Sequence, residues 1–194
     1  DCLNGRVVGL EALIRWQHPV LGLRMPGEFL PLIEHEDVII GIGNWVIAEA
    51  LRQQARLRTA GHALSISVNI AARQLLKGQF AEQLDAILAG HADADPGRLE
   101  IEILETAALE DVVAVSQLIA EFQGRGVRFA LDDFGTGYSS LVHLKHLGAD
   151  VLKIDQTFVR DMLDDPDDLA IVQGVIGLAD AFHRDVVAEG VEAL

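Results

Sequence analysis

Six strand-like stretches of this chain each carry an ionisable or amide side chain inside or at the end of an apolar run. They hold Glu11, Asn69, Glu100 with Glu102, Asp132 with Asp133, Lys153 with Asp155, and Glu189. Burying one carboxylate without a partner costs roughly several kcal/mol. A chain that does so in run after run must let these groups satisfy one another or share a cation. Glu11, Glu102, Asp132, Asp133 and Glu189 are carboxylates and Asn69 adds an amide oxygen. Such hard donors suit Mg²⁺ or Mn²⁺ rather than zinc. Carboxylates gathered in one place raise one another's pKa unless neutralised, and two divalent cations would both neutralise them and attract a phosphate. Metals about 3.5 to 4 Å apart also activate a bridging water and clamp phosphoryl oxygens for in-line displacement. Lys153 could then orient that water, relay its proton or stabilise developing charge; its plainer use is an ion pair with one of the acids.

These residues must be held by the elements around them. The strand-like runs are RVVGLEALI (6–14), LSISVNI (64–70), RLEIEIL (98–104), VRFALD (127–132), VLKID (151–155) and DVVAEGV (185–191). Amphipathic stretches lie between them. Asn44 is expected to cap a helix that turns Ile47, Ala50, Leu51 and Leu57 to the core, and Gly61 to end it. Val112, Val115, Leu118 and Phe122 repeat the pattern before the glycines at 124 and 126. Asp165 and Pro166 read as the cap and first turn of a helix that buries Val172, Val175, Ile176, Ala179 and Phe182.

Strands buried on both faces and followed by helices indicate a parallel α/β sheet. No glycine-rich phosphate loop follows the first strand, which favours a (β/α) barrel over an open nucleotide-binding sheet. In a barrel the C-terminal strand ends share one mouth, where the polar residues would meet. Closure needs eight strands, so with six runs either the ends are missing or the barrel is not closed. Within RFALDDFGTGYSSL (128–141), strand alternation would send Asp132 and Asp133 to opposite faces. The turn toward Gly135 and Gly137 is expected to bring both carboxylates to one site.

Thirty acidic against fifteen basic residues give a formal charge of −15 over 194 residues, which disfavours duplex nucleic acid and anionic membrane as partners. The apolar runs are too short for a membrane span and the first residues form no signal core, so a soluble, cytoplasmic domain is expected. The single cysteine, Cys2, is assigned no role. His35, His62, His91, His143, His146 and His183 are read as surface or packing residues, and His18, before a proline, as a turn residue.

The ordered motifs EALIRW (11–16), QHPVLGL, PGEFLPLIE, SVNIAARQ (67–74), LEIEILET (99–106), ALDDFGTGYSSL (130–141), LKIDQTFV (152–159) and VVAEGVE (186–192) cover nearly the whole chain. In them the chain resembles the EAL domain, the bacterial cyclic-di-GMP phosphodiesterase module. The resemblance implies a modified TIM (β/α)8 barrel with one antiparallel strand. It also implies Mg²⁺- or Mn²⁺-dependent cleavage of cyclic di-GMP to linear 5′-pGpG, with Ca²⁺ inhibitory. Glu11, Asn69, Glu102, Asp132 and Asp133 match the family's metal ligands, and Glu189 matches an essential glutamate, here assigned as a ligand rather than a base. Lys153 matches the lysine beside the attacking water. Arg15, Leu13 and Glu192 match substrate-contacting positions, Arg15 reaching a phosphate unless a salt bridge at the barrel rim holds it. Glu105 matches the residue that braces the loop after the paired aspartates. Leu104 and Ala193 stand where threonine is common. The family's first strand, with a substrate-contacting glutamine, and its last strand and helix are expected to lie outside this chain.

The resemblance further implies a homodimer, whose interface is linked to the braced loop, and an attached sensor or GGDEF domain upstream. A rival of another class is a non-catalytic cyclic-di-GMP receptor or dimerisation module, whose family members typically lose ligand residues; all are present here. An enolase-like carbanion enzyme would also use strand-end carboxylates, Mg²⁺ and a lysine base. The paired metal-binding groups and the DDFGTGYSS loop favour phosphodiester cleavage.

Overall fold

The computed structural model describes residues 1–77, 79–136 and 141–191. The chain divides into two compact units, Asp1–Ile101 with Arg125–Val127, and Glu102–Gly124 with Arg128–Leu194. In chain order the first contains β1 (Gly9–Ala12), β2 (Trp16–His18), β3 (Gly22–Arg24), α1 (Pro26–Ile33), α2 (Val38–Thr59), β4 (Ser65–Ile70), α3 (Ala72–Leu76), α4 (Phe80–Ala89) and the start of β5 (Leu99–Leu104). The second contains the end of β5, then α5 (Glu105–Glu110), α6 (Val112–Gln123), β6 (Arg128–Phe134), α7 (Leu141–Leu147), β7 (Val151–Ile154), α8 (Gln156–Asp161), α9 (Pro166–Ala181) and β8 (Asp185–Ala188).

Six strands are hydrogen-bonded in the order β1-β4-β5-β6-β7-β8. The pairs β1/β4, β6/β7 and β7/β8 are parallel. Each of the six expected runs overlaps a strand, β6 running on to Phe134; all four residues of β7 are buried, as a strand covered on both faces requires, whereas β1 and β8 are half-buried or exposed, against the expectation. Antiparallel pairing occurs in a ribbon of its own, β2 with β3. Strands of three residues are too short to show alternation, which is why the sequence does not announce them. The turn role expected of His18 is realised there: its Nδ1 accepts from the backbone N–H groups of Val20 at 3.1 Å and Leu21 at 3.0 Å.

In the first unit α2 buries Ile39, Gly43, Ile47, Ala50, Leu51 and Gln54 along one stripe. It starts earlier than the sequence suggests, so Asn44 is not its cap. Asn44 lies inside the helix, and its Oδ1 accepts from Gln74 Nε2 at 2.8 Å. The glycine just before it, Gly43, leaves room for Gln74, whose side chain would overlap any Cβ at that position. Gly61 ends the helix as expected. Its φ of +88° lets its N–H reach Arg58 O and the next N–H, of His62, reach Leu57 O, which satisfies two carbonyls the helix leaves open.

In the second unit Asp111 caps α6 by accepting from Ala114 N at 3.0 Å, and Val115, Ile119 and Phe122 are buried. Asp165 caps α9, with Pro166 in its first turn, by accepting from Asp167 N at 2.9 Å. Val172, Val175 and Ala179 form its buried stripe. Ile176, expected in the core, sits at the edge of that stripe and stays 48 % exposed, and Phe182 is half-buried just past the helix end. Among the described residues no helix is long and apolar enough to cross a membrane.

Candidate active site

The paired aspartates reach one site through a β-bulge. Between Leu131 and Phe134 the register of β6 against β7 slips, so that β6 spends one residue more than its partner. The extra residue falls at the aspartates, and Asp133 adopts a left-handed φ of +54°, a region aspartate enters more readily than most side chains. Asp132 Oδ1 accepts from Asp133 N at 3.1 Å, while Thr136 donates to Asp133 O through Oγ1 at 2.8 Å. These bonds fix the reversal. As a result one carboxylate oxygen from each of Asp132, Asp133 and Glu189 lies within 4.8 Å of the others. An all-carboxylate set of this kind fits a hard divalent cation.

Lys153 stands at the centre of the second unit's acids. It projects from β7, 3 % exposed, with Glu102 and Asp132 also buried. Its Nζ lies 2.7 Å from Glu102 Oε2, 2.7 Å from Glu189 Oε1 and 3.0 Å from Asp132 Oδ1. An ammonium has three protons, and each finds an acid. Burial pulls its pKa down, but the hydrogen bonds to Glu102 and Glu189 and the charges of Glu102 and Asp132 outweigh this and raise it, so Lys153 carries its proton.

Asp133 behaves differently. Burial, its hydrogen bond with Asp155 and the nearby charges of Asp132, Asp155 and Glu189 push its pKa up from 3.8 to about 6. Burial also raises Asp155, yet hydrogen bonds from Thr157 and Asp133 prevail and hold it below the ordinary value. The shared proton thus belongs to Asp133, which donates to Asp155. Because the folded-state pKa of Asp133 is raised, its contribution to stability is fully present below about pH 3.8 and is lost as pH rises through about 6. Asp133→Asn, whose amide can still donate to Asp155, is therefore expected to be more stable than the wild type at pH 7 in EDTA, with the gap closing toward pH 4. Urea unfolding across that range measures it, and a constant gap would overturn the assignment.

Asp155 is a residue whose task the sequence does not disclose. Besides receiving Asp133 it caps α8, accepting from Thr157 N at 2.8 Å and from the Thr157 hydroxyl. The signal is the Asp-x-Thr spacing directly after a strand. Glu105 has the position expected of a brace: 1 % exposed at the start of α5, it accepts through Oε2 from Gly135 N at 3.1 Å, just beyond the aspartates.

The remaining expected ligands lie in the first unit. Asn69 Nδ2 donates to Glu11 Oε1 at 2.8 Å, with β1 and β4 in parallel register. An amide bonded through nitrogen keeps its oxygen, the atom a cation takes. Arg15 is exposed and its Nη1 donates to Ile14 O at 2.8 Å; among the described residues it forms no ion pair. Leu13 is 53 % exposed. Glu192, Ala193 and Gly137 lie outside the described residues. No histidine joins the acidic group among the described residues.

A family model described as the EAL domain matches residues 1–193. The chain is 42 % identical over 190 residues to the bifunctional diguanylate cyclase/cyclic di-GMP phosphodiesterase MucR of Pseudomonas aeruginosa, covering 97 % of this chain and 28 % of that protein. It is 38 % identical over 190 residues to the cyclic di-GMP phosphodiesterase PdeR of Escherichia coli, covering 98 % of this chain and 29 % of the relative. The chain thus spans less than a third of the length of either relative. Among solved structures, the P. aeruginosa MucR phosphodiesterase in complex with c-di-GMP superposes with a TM-score of 0.92 at 41 % identity, over 98 % of this chain and 77 % of that one.

Proposed function

Because the chain belongs to the EAL domain family, we propose that it is a metal-dependent phosphodiesterase that opens cyclic di-GMP to linear 5′-pGpG. The observation that carries this reading is the assembled group of Asp132, Asp133, Glu189, Glu102 and Lys153. A receptor that has given up catalysis has no need to keep five such groups in contact. Asp132, Asp133, Glu189 and Glu102 would hold Mg²⁺ or Mn²⁺, two ions on the family's pattern, which gives the same ligand role to Glu11 and Asn69. Such ions, when bound, would lower the pKa of water and neutralise charge on the phosphoryl oxygens.

The reaction joins a water oxygen to phosphorus and breaks one P–O3′ bond, with a proton passing to the departing 3′ oxygen. Lys153, held as a cation by its acids, would stabilise the charge that develops on the phosphoryl group, beside the attacking water. Arg15, free of ion pairs among the described residues, meets a phosphate. Leu13 and Glu192 are assigned substrate contacts on the family's pattern alone. Glu105 keeps the strand-end loop in place through Gly135. The chain's share of its relatives leaves room for attached sensor or GGDEF segments, and a homodimer completes the reading.

Incubation of a full-length domain with cyclic di-GMP and Mn²⁺ is expected to yield pGpG, with Ca²⁺ inhibiting. Glu11→Ala and Lys153→Ala are each expected to lower turnover by about a hundredfold or more. Binding without turnover by the wild type would instead identify a receptor.

A further inference from the structure

The ammonium of Lys153 and the carboxylate group of Asp132, Asp133 and Glu189 share two members. Asp132 and Glu189 each place an oxygen on Lys153, at 3.0 and 2.7 Å, and each belongs to the set whose oxygens lie within 4.8 Å of one another. Glu102, at 2.7 Å, ties the same ammonium to β5. Any divalent cation taken by that set therefore binds oxygens that already balance a fixed positive charge. We propose that Lys153 sets the affinity of the site for divalent cations: its ammonium balances the carboxylates on its own and competes with the incoming ion for their charge. This deepens the phosphodiesterase reading and rests on it.

Two consequences follow from charge alone. One ammonium among Glu102, Asp132, Asp133 and Glu189 relieves part of their repulsion but leaves the group strongly acidic, so a divalent ion is still attracted. The same ammonium repels that ion across shared oxygens only a few ångströms away, in partly buried surroundings where water screens poorly. Removing the charge while keeping the bulk must then act in opposite directions on two measurable quantities. Stability without metal falls, because the acids lose their internal counter-charge. Affinity for the metal rises, because the competitor has gone. In this respect Lys153 is a positioning residue, whatever it does to substrate.

The test uses the wild type, Lys153→Met and Lys153→Arg, with Mn²⁺ alone as the probe and no nucleotide. Isothermal titration is expected to show Mn²⁺ binding to Lys153→Met tighter than to the wild type by about tenfold or more. Its melting midpoint in EDTA is expected below that of the wild type, and the difference to vanish or reverse at saturating Mn²⁺. Lys153→Arg, which keeps the charge, stays near the wild type in both. Unchanged or weaker Mn²⁺ binding by Lys153→Met, beside normal binding by the wild type, overturns the inference and leaves the phosphodiesterase reading standing. A wild type that takes up no Mn²⁺ defeats that reading, and the inference with it. Should Lys153→Met fail to fold in EDTA, refolding in Mn²⁺ is expected to restore its circular dichroism, and a variant still unfolded at saturating Mn²⁺ counts against the inference.

Discussion

Asp132→Asn is expected to lower kcat for cyclic di-GMP by about a thousandfold or more, the loss that several kcal/mol of missing metal and charge stabilisation produces. Asp132 is buried, 8 % exposed, and serves three contacts at once. It receives the N–H of Asp133, it balances Lys153, and it supplies an oxygen to the carboxylate group. Asparagine preserves the shape and keeps an oxygen that can accept from Asp133 N, so the bulge should survive. Lys153 retains Glu102 and Glu189. What disappears is one negative charge in the proposed cation site. Mn²⁺ titration should therefore weaken sharply while the melting midpoint in EDTA moves by a few degrees at most. Near-normal turnover from a well-folded Asp132→Asn protein would remove Asp132 from the metal set.

Much of this arrangement can be read from residue order, for identifiable reasons. Strands covered on both faces leave long apolar runs, so β4 to β7 stand out, and a charge inside such a run is conspicuous because burial makes it costly; β8 is mostly exposed and is legible only from its short apolar run. Helix ends are legible where a residue type has one good use, as with Asp165 before Pro166 or Gly61 at positive φ. Asn44 misleads because its side chain serves Gln74 from another helix, a tertiary use with no local trace. The bulge at Asp132 and Asp133 is half legible. The glycines announce a turn, but that one strand spends an extra residue against its neighbour is a property of the pair β6/β7. The three-way engagement of Lys153 depends on β5, on β6 and on the segment after β8 together. Only the order of motifs along the chain ties those distant residues to one family.

Gly190→Ala is expected to damage the site from beside it. Gly190 follows Glu189 at φ +68°, and a Cβ there would lie 2.6 Å from Gln156 Cβ and 3.3 Å from Gln156 Cα. Neither atom is the tip of a flexible side chain, so the start of α8 or the segment after β8 must move. Left-handed strain and overpacking together should cost about 2 to 4 kcal/mol of stability. The segment that must shift carries Glu189, whose N–H is tied to Ile154 O at 3.1 Å and whose carboxylate reaches Lys153. A displacement of about 1 Å at a catalytic group can cost about a hundredfold in rate, so turnover should fall further than unfolding explains. The comparison is Gly177→Ala on α9, where a Cβ meets nothing within 4 Å and the change should be neutral or stabilising by up to about 1 kcal/mol. Melting curves and kcat on both variants separate the two effects. If Gly190→Ala loses stability but keeps its turnover at a temperature where it is fully folded, the strain is absorbed by α8 and Glu189 is not held by this turn.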